Sequence, residues 1–137
     1  MIVVDTSVAA SWFLADELDP YAIAVLEALN EAHEMLVPSL WLLELVNTML
    51  VAERRGRISR NAHLDALQRV KGLPLRIAPS PTVFSLNILR TIARRRRLSA
   101  YDAEYLRIAK ETALPLATLD SSLREAAGKE SVKVFEI

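Results

Sequence analysis

The sequence predicts an α/β fold with a mostly parallel central sheet covered by helices on both faces. Short, nearly uncharged runs of β-branched and apolar residues recur along the chain, and longer helical patterns separate them. Strands without charges on either side are buried on both faces, which is the habit of parallel rather than antiparallel sheets. With 52% hydrophobic residues over 137 positions, three glycines and no low-complexity stretch, residues 1–137 read as one continuous domain.

The predicted strands are residues 2–4, 35–37, 75–77, 116–119 and 132–135. Between them, Asp19 caps a helix that has Pro20 at its first position, Ser39 precedes a helix over 40–55, and Ser59 precedes one carrying Leu64, Leu67 and Val70. Gly56 and Gly72 fall where those helices should stop. Further helices are expected over 81–96 and 99–112, with a short one over 122–127.

Composition excludes several chemistries. The chain has no cysteine, which removes disulfide frameworks, thiolate nucleophiles, zinc–thiolate sites and iron–sulfur clusters. The two histidines, His33 and His63, are too far apart in sequence for a local metal-binding pair, so any metal site must be built mainly from oxygen. No basic leader precedes an apolar stretch and no run approaches a membrane span, so a cytoplasmic protein is expected, with no membrane partner. The net charge of zero hides a segregation: residues 1–53 hold nine acids and no Lys or Arg, whereas residues 54–97 hold twelve bases and one acid. Such asymmetry points to a nucleic-acid partner.

Ligands of open parallel sheets bind beyond the carboxyl ends of the strands, so acids there stand out. Asp5 follows the first strand and Asp120 the fourth, where a helix cap would explain either alone. Glu44 lies in an apolar helix among Leu and Val, with Asn47 and Thr48 beside it at helical spacing. Asp102 falls in the first turn of a helix that Ser99 should cap, with Glu104 as the solvated acid of that turn. Four carboxylates brought together would repel unless a hard cation neutralised them, and an all-oxygen site favours Mg²⁺ or Mn²⁺. Phosphodiester hydrolysis is the chemistry such a site suits.

These residues carry a resemblance. Val3-Val4-Asp5-Thr6-Ser7, Leu43-Glu44-Leu45-Val46-Asn47, the stretch from Leu98 to Tyr105 and Leu116-Ala117-Thr118-Leu119-Asp120 together resemble the PIN-domain ribonucleases, in particular the VapC-type toxins of toxin–antitoxin pairs. The resemblance implies a PIN-like three-layer α/β/α sandwich and a Mg²⁺- or Mn²⁺-dependent endoribonuclease with Asp5, Glu44, Asp102 and Asp120 as its acidic site. It makes Asp5 and Asp102 the direct ligands, with Glu44 and Asp120 binding directly or through water. Thr6, Ser7, Asn47 and Thr118 would support the carboxylates. It also implies a cognate antitoxin and a homodimer, and apolar excess on the helices near 40–51 and 83–92 suits a dimer.

Arg90, Arg94, Arg95, Arg96 and Arg97 precede the Asp102 segment and are candidates to hold the RNA backbone, although a solvated helix end would explain them equally well. A second basic cluster, Arg54, Arg55, Arg57 and Arg60, surrounds Gly56. Two other functions fit an acidic α/β chain. A receiver or haloacid-dehalogenase-type phosphatase would want a second acid near Asp5, where Thr6 and Ser7 stand instead. A non-catalytic module would use the basic segment to bind RNA or a protein.

Overall fold

A computed structural model describes all 137 residues. The elements run β1 (Ile2–Val4), α1 (Thr6–Phe13), α2 (Pro20–Glu31), β2 (Met35–Val37), α3 (Leu40–Arg54), α4 (Arg60–Val70), β3 (Leu75–Ile77), α5 (Leu86–Arg96), α6 (Ala100–Thr112), β4 (Leu116–Ala117) and α7 (Ser121–Lys129). The four strands form one parallel sheet in the order β3-β2-β1-β4. Every residue of β1, β2 and β4 is buried, so helices cover both faces of the sheet and the architecture has three layers. Right-handed crossovers in this strand order put α1–α4 on one face and α5–α6 on the other. The packing agrees: α1 meets α2 and α3, α3 meets α4, and α6 packs on α5, β1 and β4. No helix is long and apolar enough to cross a membrane.

Local chemistry sets most of the boundaries. Asp19 accepts from the Tyr21 amide at 2.8 Å and Pro20 opens α2, while Ser59 accepts from Ala62 at 3.0 Å ahead of α4. Gly56 takes φ 71° just past α3, the left-handed turn that glycine adopts without strain. Ser39 differs from expectation: it precedes α3 with helical dihedrals and makes no side-chain cap. The helix expected from residue 81 starts at Leu86, because Thr82 caps a single 3₁₀ turn over Val83–Ser85 first. The fourth strand stops at Ala117 rather than 119, and the fifth shrinks to one parallel bridge between Leu116 and Val134. Strand β3 is the exposed edge, where Arg76 pairs with Glu34 at 2.9 Å.

Glu104 is not a solvated acid. It is 2% exposed and receives a two-pronged hydrogen bond from Arg107, with both contacts at 2.6 Å. The same guanidinium reaches Glu111 and the Pro79 carbonyl, which ties α6 to the loop after β3. Glu104→Ala is expected to destabilise the fold by about 2 kcal/mol, because it leaves a buried guanidinium with only the exposed Glu111 as counter-charge. Glu111→Ala, at a solvent-exposed partner, should cost under about 1 kcal/mol. Urea unfolding midpoints of the two variants check the contrast.

Candidate active site at the carboxyl edge of the sheet

From β1 the chain runs outward to β2 and β3, then returns to lay β4 on the other side of β1. The crevice beyond the carboxyl ends of β1 and β4 is therefore the reversal point where open parallel sheets bind ligands. Asp5 occupies it. The Asp5 amide donates to the Ala117 carbonyl at 2.9 Å, continuing the ladder one residue past β1 and setting Asp5 beside Thr118.

The Asp5 carboxylate is 6% exposed, and its Oδ2 receives the hydroxyls of Thr118 at 2.7 Å and Ser7 at 2.5 Å. Both hydroxyls are oriented by the backbone. Thr118 Oγ1 accepts from the Asp120 amide and Ser7 Oγ from the Leu119 amide, each at 3.0 Å, so their protons turn toward Asp5. Asp5 thus makes no side-chain cap on α1, whereas Asp120 does cap α7, accepting from the Leu123 amide at 2.9 Å.

Glu44 enters from α3 and is half-buried. Its Oε1 accepts from the Tyr105 hydroxyl at 2.7 Å, and Tyr105 in turn lies 2.8 Å from the Thr6 hydroxyl. Since the carboxylate accepts from Tyr105, Thr6 donates to the phenol, giving a relay from α1 through α6 to α3. Burial lifts the Tyr105 phenol far above its usual range, which keeps it protonated and a donor. Asp102 comes from the first turn of α6, whose cap Ser99 accepts from the Asp102 amide at 3.0 Å. Sequence reasoning had no signal for Tyr105 as a partner of Glu44. The only trace is its spacing of three from Asp102, which places both on one side of α6.

The four carboxylates share one concave site of about 310 Å³, lined also by Thr6, Ser7 and Thr48 and by no cation. Burial raises the proton affinities of Asp5, Glu44 and Asp102 above the usual carboxylate range. Their neighbours add to this: Asp102 acts on Asp5, both act on Glu44, and Asp120 acts on Asp102. An all-oxygen donor set, crowded with negative charge, fits a hard divalent ion. No three acidic side chains gather tightly enough to hold an ion by themselves.

The remaining candidates are placed as follows. Ser7 and Thr118 bond the Asp5 carboxylate directly, and Thr6 reaches Glu44 through Tyr105. Asn47 is exposed on α3 outside the crevice, and Thr48 faces it instead. Of the arginine run, Arg95 and Arg96 bind Glu130, while Arg90, Arg94 and Arg97 are exposed.

Comparisons agree with this architecture. No curated protein matches the sequence significantly. Among solved structures, PAE2754 from Pyrobaculum aerophilum superposes with a TM-score of 0.70 at 22% identity, over 91% of this chain and 83% of its own. FitAcB from Neisseria gonorrhoeae gives 0.67 at 19% identity, over 99% of this chain and 97% of its own. The profile of the PIN domain matches residues 2–129, and the chain belongs to the PIN-domain family, generally a nuclease fold.

Proposed function

We propose that this chain is a Mg²⁺- or Mn²⁺-dependent endoribonuclease and the VapC-type toxin of a toxin–antitoxin pair. The observation that carries the reading is the convergence of Asp5, Glu44, Asp102 and Asp120, from four separate segments, on the reversal point of the sheet. Asp5 and Asp102 would hold the ion, with Glu44 and Asp120 binding it directly or through water. When bound, the ion supplies a Lewis acid for the phosphoryl group and acidity for the attacking water. Ser7 and Thr118 fix Asp5 by occupying Oδ2, which leaves Oδ1 free of both hydroxyls. Tyr105, itself held by Thr6, engages only Oε1 of Glu44, and the raised proton affinity of Glu44 suits Oε2 to take a proton from the attacking water.

The toxin assignment brings two partners. An antitoxin protein is one. A second copy of this chain is the other, supported by Leu43 and Val46 on α3 and Phe84, Leu86 and Ile88 around the start of α5, which are exposed apolar side chains. The cytoplasm is the compartment where the RNA substrate of such an enzyme is found.

Cleavage of structured RNA in Mg²⁺ or Mn²⁺, beside EDTA, tests the activity. Asp5→Asn and Asp102→Asn are each expected to lower cleavage by about two orders of magnitude or more while leaving the fold intact. Unchanged cleavage in both variants overturns the site, and RNA bound but never cut favours a non-catalytic module.

The raised carboxylates also predict a pH dependence. Stability from Asp5, Glu44 and Asp102 is complete below their ordinary values of 3.8 and 4.5 and is lost as pH rises through their elevated ones. Glu130 has the opposite sign: buried, yet held down to about 2 by Lys110, Arg96 and Arg95, it loses its contribution only as pH falls toward that value. The metal-free protein should therefore lose melting temperature as pH rises above the ordinary carboxylate range. Added Mn²⁺ should raise the melting temperature chiefly at the higher pH, and Asp5→Asn should flatten both trends. Differential scanning fluorimetry across pH, with and without Mn²⁺, reads them.

A further inference from the structure

Beyond the acidic crevice, the most unusual electrostatic feature is at Glu130, just past α7. Its side chain is 2% exposed and three cations converge on it: Arg95 at 2.8 and 2.9 Å, Arg96 at 2.7 Å and Lys110 at 2.7 Å. One carboxylate thus fixes two guanidinium groups in place and leaves their positive charge in excess. Beside this cluster the end of α5 and α7 enclose a groove of about 360 Å³, bordered by Arg95, Arg96, Arg97, Ser122 and Lys129. Glu125 is the only acid on the groove and is already paired with Lys129. The groove therefore carries net positive charge, which Glu125 and the buried Glu130 offset only in part.

The Arg97 side chain makes no hydrogen bond or ion pair in the protein, while its amide donates to the Ala93 carbonyl and its backbone is left-handed at φ 55° in the position directly after α5. Glycine or asparagine is favoured in that conformation, so what the backbone gives arginine there is only the general benefit of a cation at a helix carboxyl end. An unpaired cation held at a strained position points to a use for its side chain.

We propose that this groove is a phosphate subsite for the RNA strand, with Arg97 as its principal contact and Arg95, Lys129 and Ser122 along its walls. The proposal rests on the RNA reading above and deepens it. Arg97 lies two residues before Ser99, which caps the helix bearing Asp102, and Ser122 lies two residues after Asp120. Two residues span at most about 7 Å, so the Ser122 end of the groove starts within one such span of the Asp120 backbone, on the helix that Asp120 caps. A polyanion crossing four carboxylates is repelled there, and a fixed cationic groove alongside offsets that repulsion while reading no base. Arg96 faces the same groove, but its bonds to Glu130 and to the Lys129 carbonyl at 3.0 Å make it part of the scaffold.

The test is fluorescence anisotropy of a short labelled single-stranded RNA across a salt titration, with EDTA present so that no strand is cut. Arg97→Gly should weaken binding roughly three- to tenfold and make the plot of log affinity against log salt shallower by about 0.7, the value of one lost phosphate contact on a single strand. Its melting temperature should stay the same or rise, because glycine suits the backbone there. Lys71→Ala, which removes an equal charge at the end of α4, should leave binding and slope unchanged. Wild-type affinity and slope in Arg97→Gly, an equal loss in Lys71→Ala, or no RNA binding by the unmodified protein overturns the subsite. So does an Arg97→Gly protein that keeps RNA binding but loses affinity for polyglutamate, which would assign the groove to an acidic protein segment. Cleavage in Mg²⁺ is scored separately: a protein that binds as expected yet cuts nothing ends the nuclease reading and leaves the subsite standing, and one that cuts while Arg97→Gly binds normally does the reverse.

Discussion

The buried carboxylate of Asp5 organises the crevice. A charge at 6% exposure is tolerable only with partners, and the partners here are two hydroxyls from different segments, each oriented by an amide of the loop after β4. Satisfying Asp5 therefore fastens the loops after β1 and β4 to each other. Thr118 turns out of the strand to do so, and Asp120 is thereby set at the start of α7. The relay through Thr6 and Tyr105 fastens α3 to the same point. What the protein cannot satisfy internally is the mutual repulsion of the acids, and that remainder is what suits the site to a cation.

The segregation of charge along the chain has two consequences in three dimensions. Part of it is internal pairing across the fold: Arg57 binds Asp16 and Glu17, and Arg76 binds Glu34, so the acidic first segment docks onto the basic middle one. Arg95 and Arg96 are likewise anchored, sharing the single charge of Glu130. Charge asymmetry read from sequence thus overstates the cations free to meet a polyanion. Those left unpaired are fewer, and Arg97 beside the crevice is the clearest of them.

Much of the fold was legible because its signals are local. Uncharged strand runs, Asp19 before Pro20, Ser59 and Ser99 as caps, and Gly56 after α3 each act within a few residues. Asp5, Asp102 and Asp120 were legible because strand ends and a helix first turn set their positions in the fold, and Glu44 because it is a lone carboxylate in an apolar helix. What was not legible depends on contacts between distant segments. Tyr105 reaches Glu44 across 61 positions, and its place beside Asp102 on α6 does not by itself signal that contact. Glu104 looked solvated because its partner Arg107 fills one turn of a helix whose burial depends on α5 and the sheet. The last strand shortened to one bridge because pairing at a sheet margin depends on how α7 returns the chain, which periodicity does not encode.

The free margin of the sheet at β3 bears on a different matter, the behaviour of the protein at high concentration. A strand with unpaired amides and carbonyls is a template on which a second molecule can build an intermolecular sheet, the first step of aggregation. Here that template is three residues long and closed off by Pro74 before it and Pro79 shortly after, neither of which can donate a backbone hydrogen bond. Arg76 keeps a charge in the middle of it. Brevity, proline and charge are the devices by which natural sheets protect an open margin, so this one is poorly suited to recruit neighbours into fibrils.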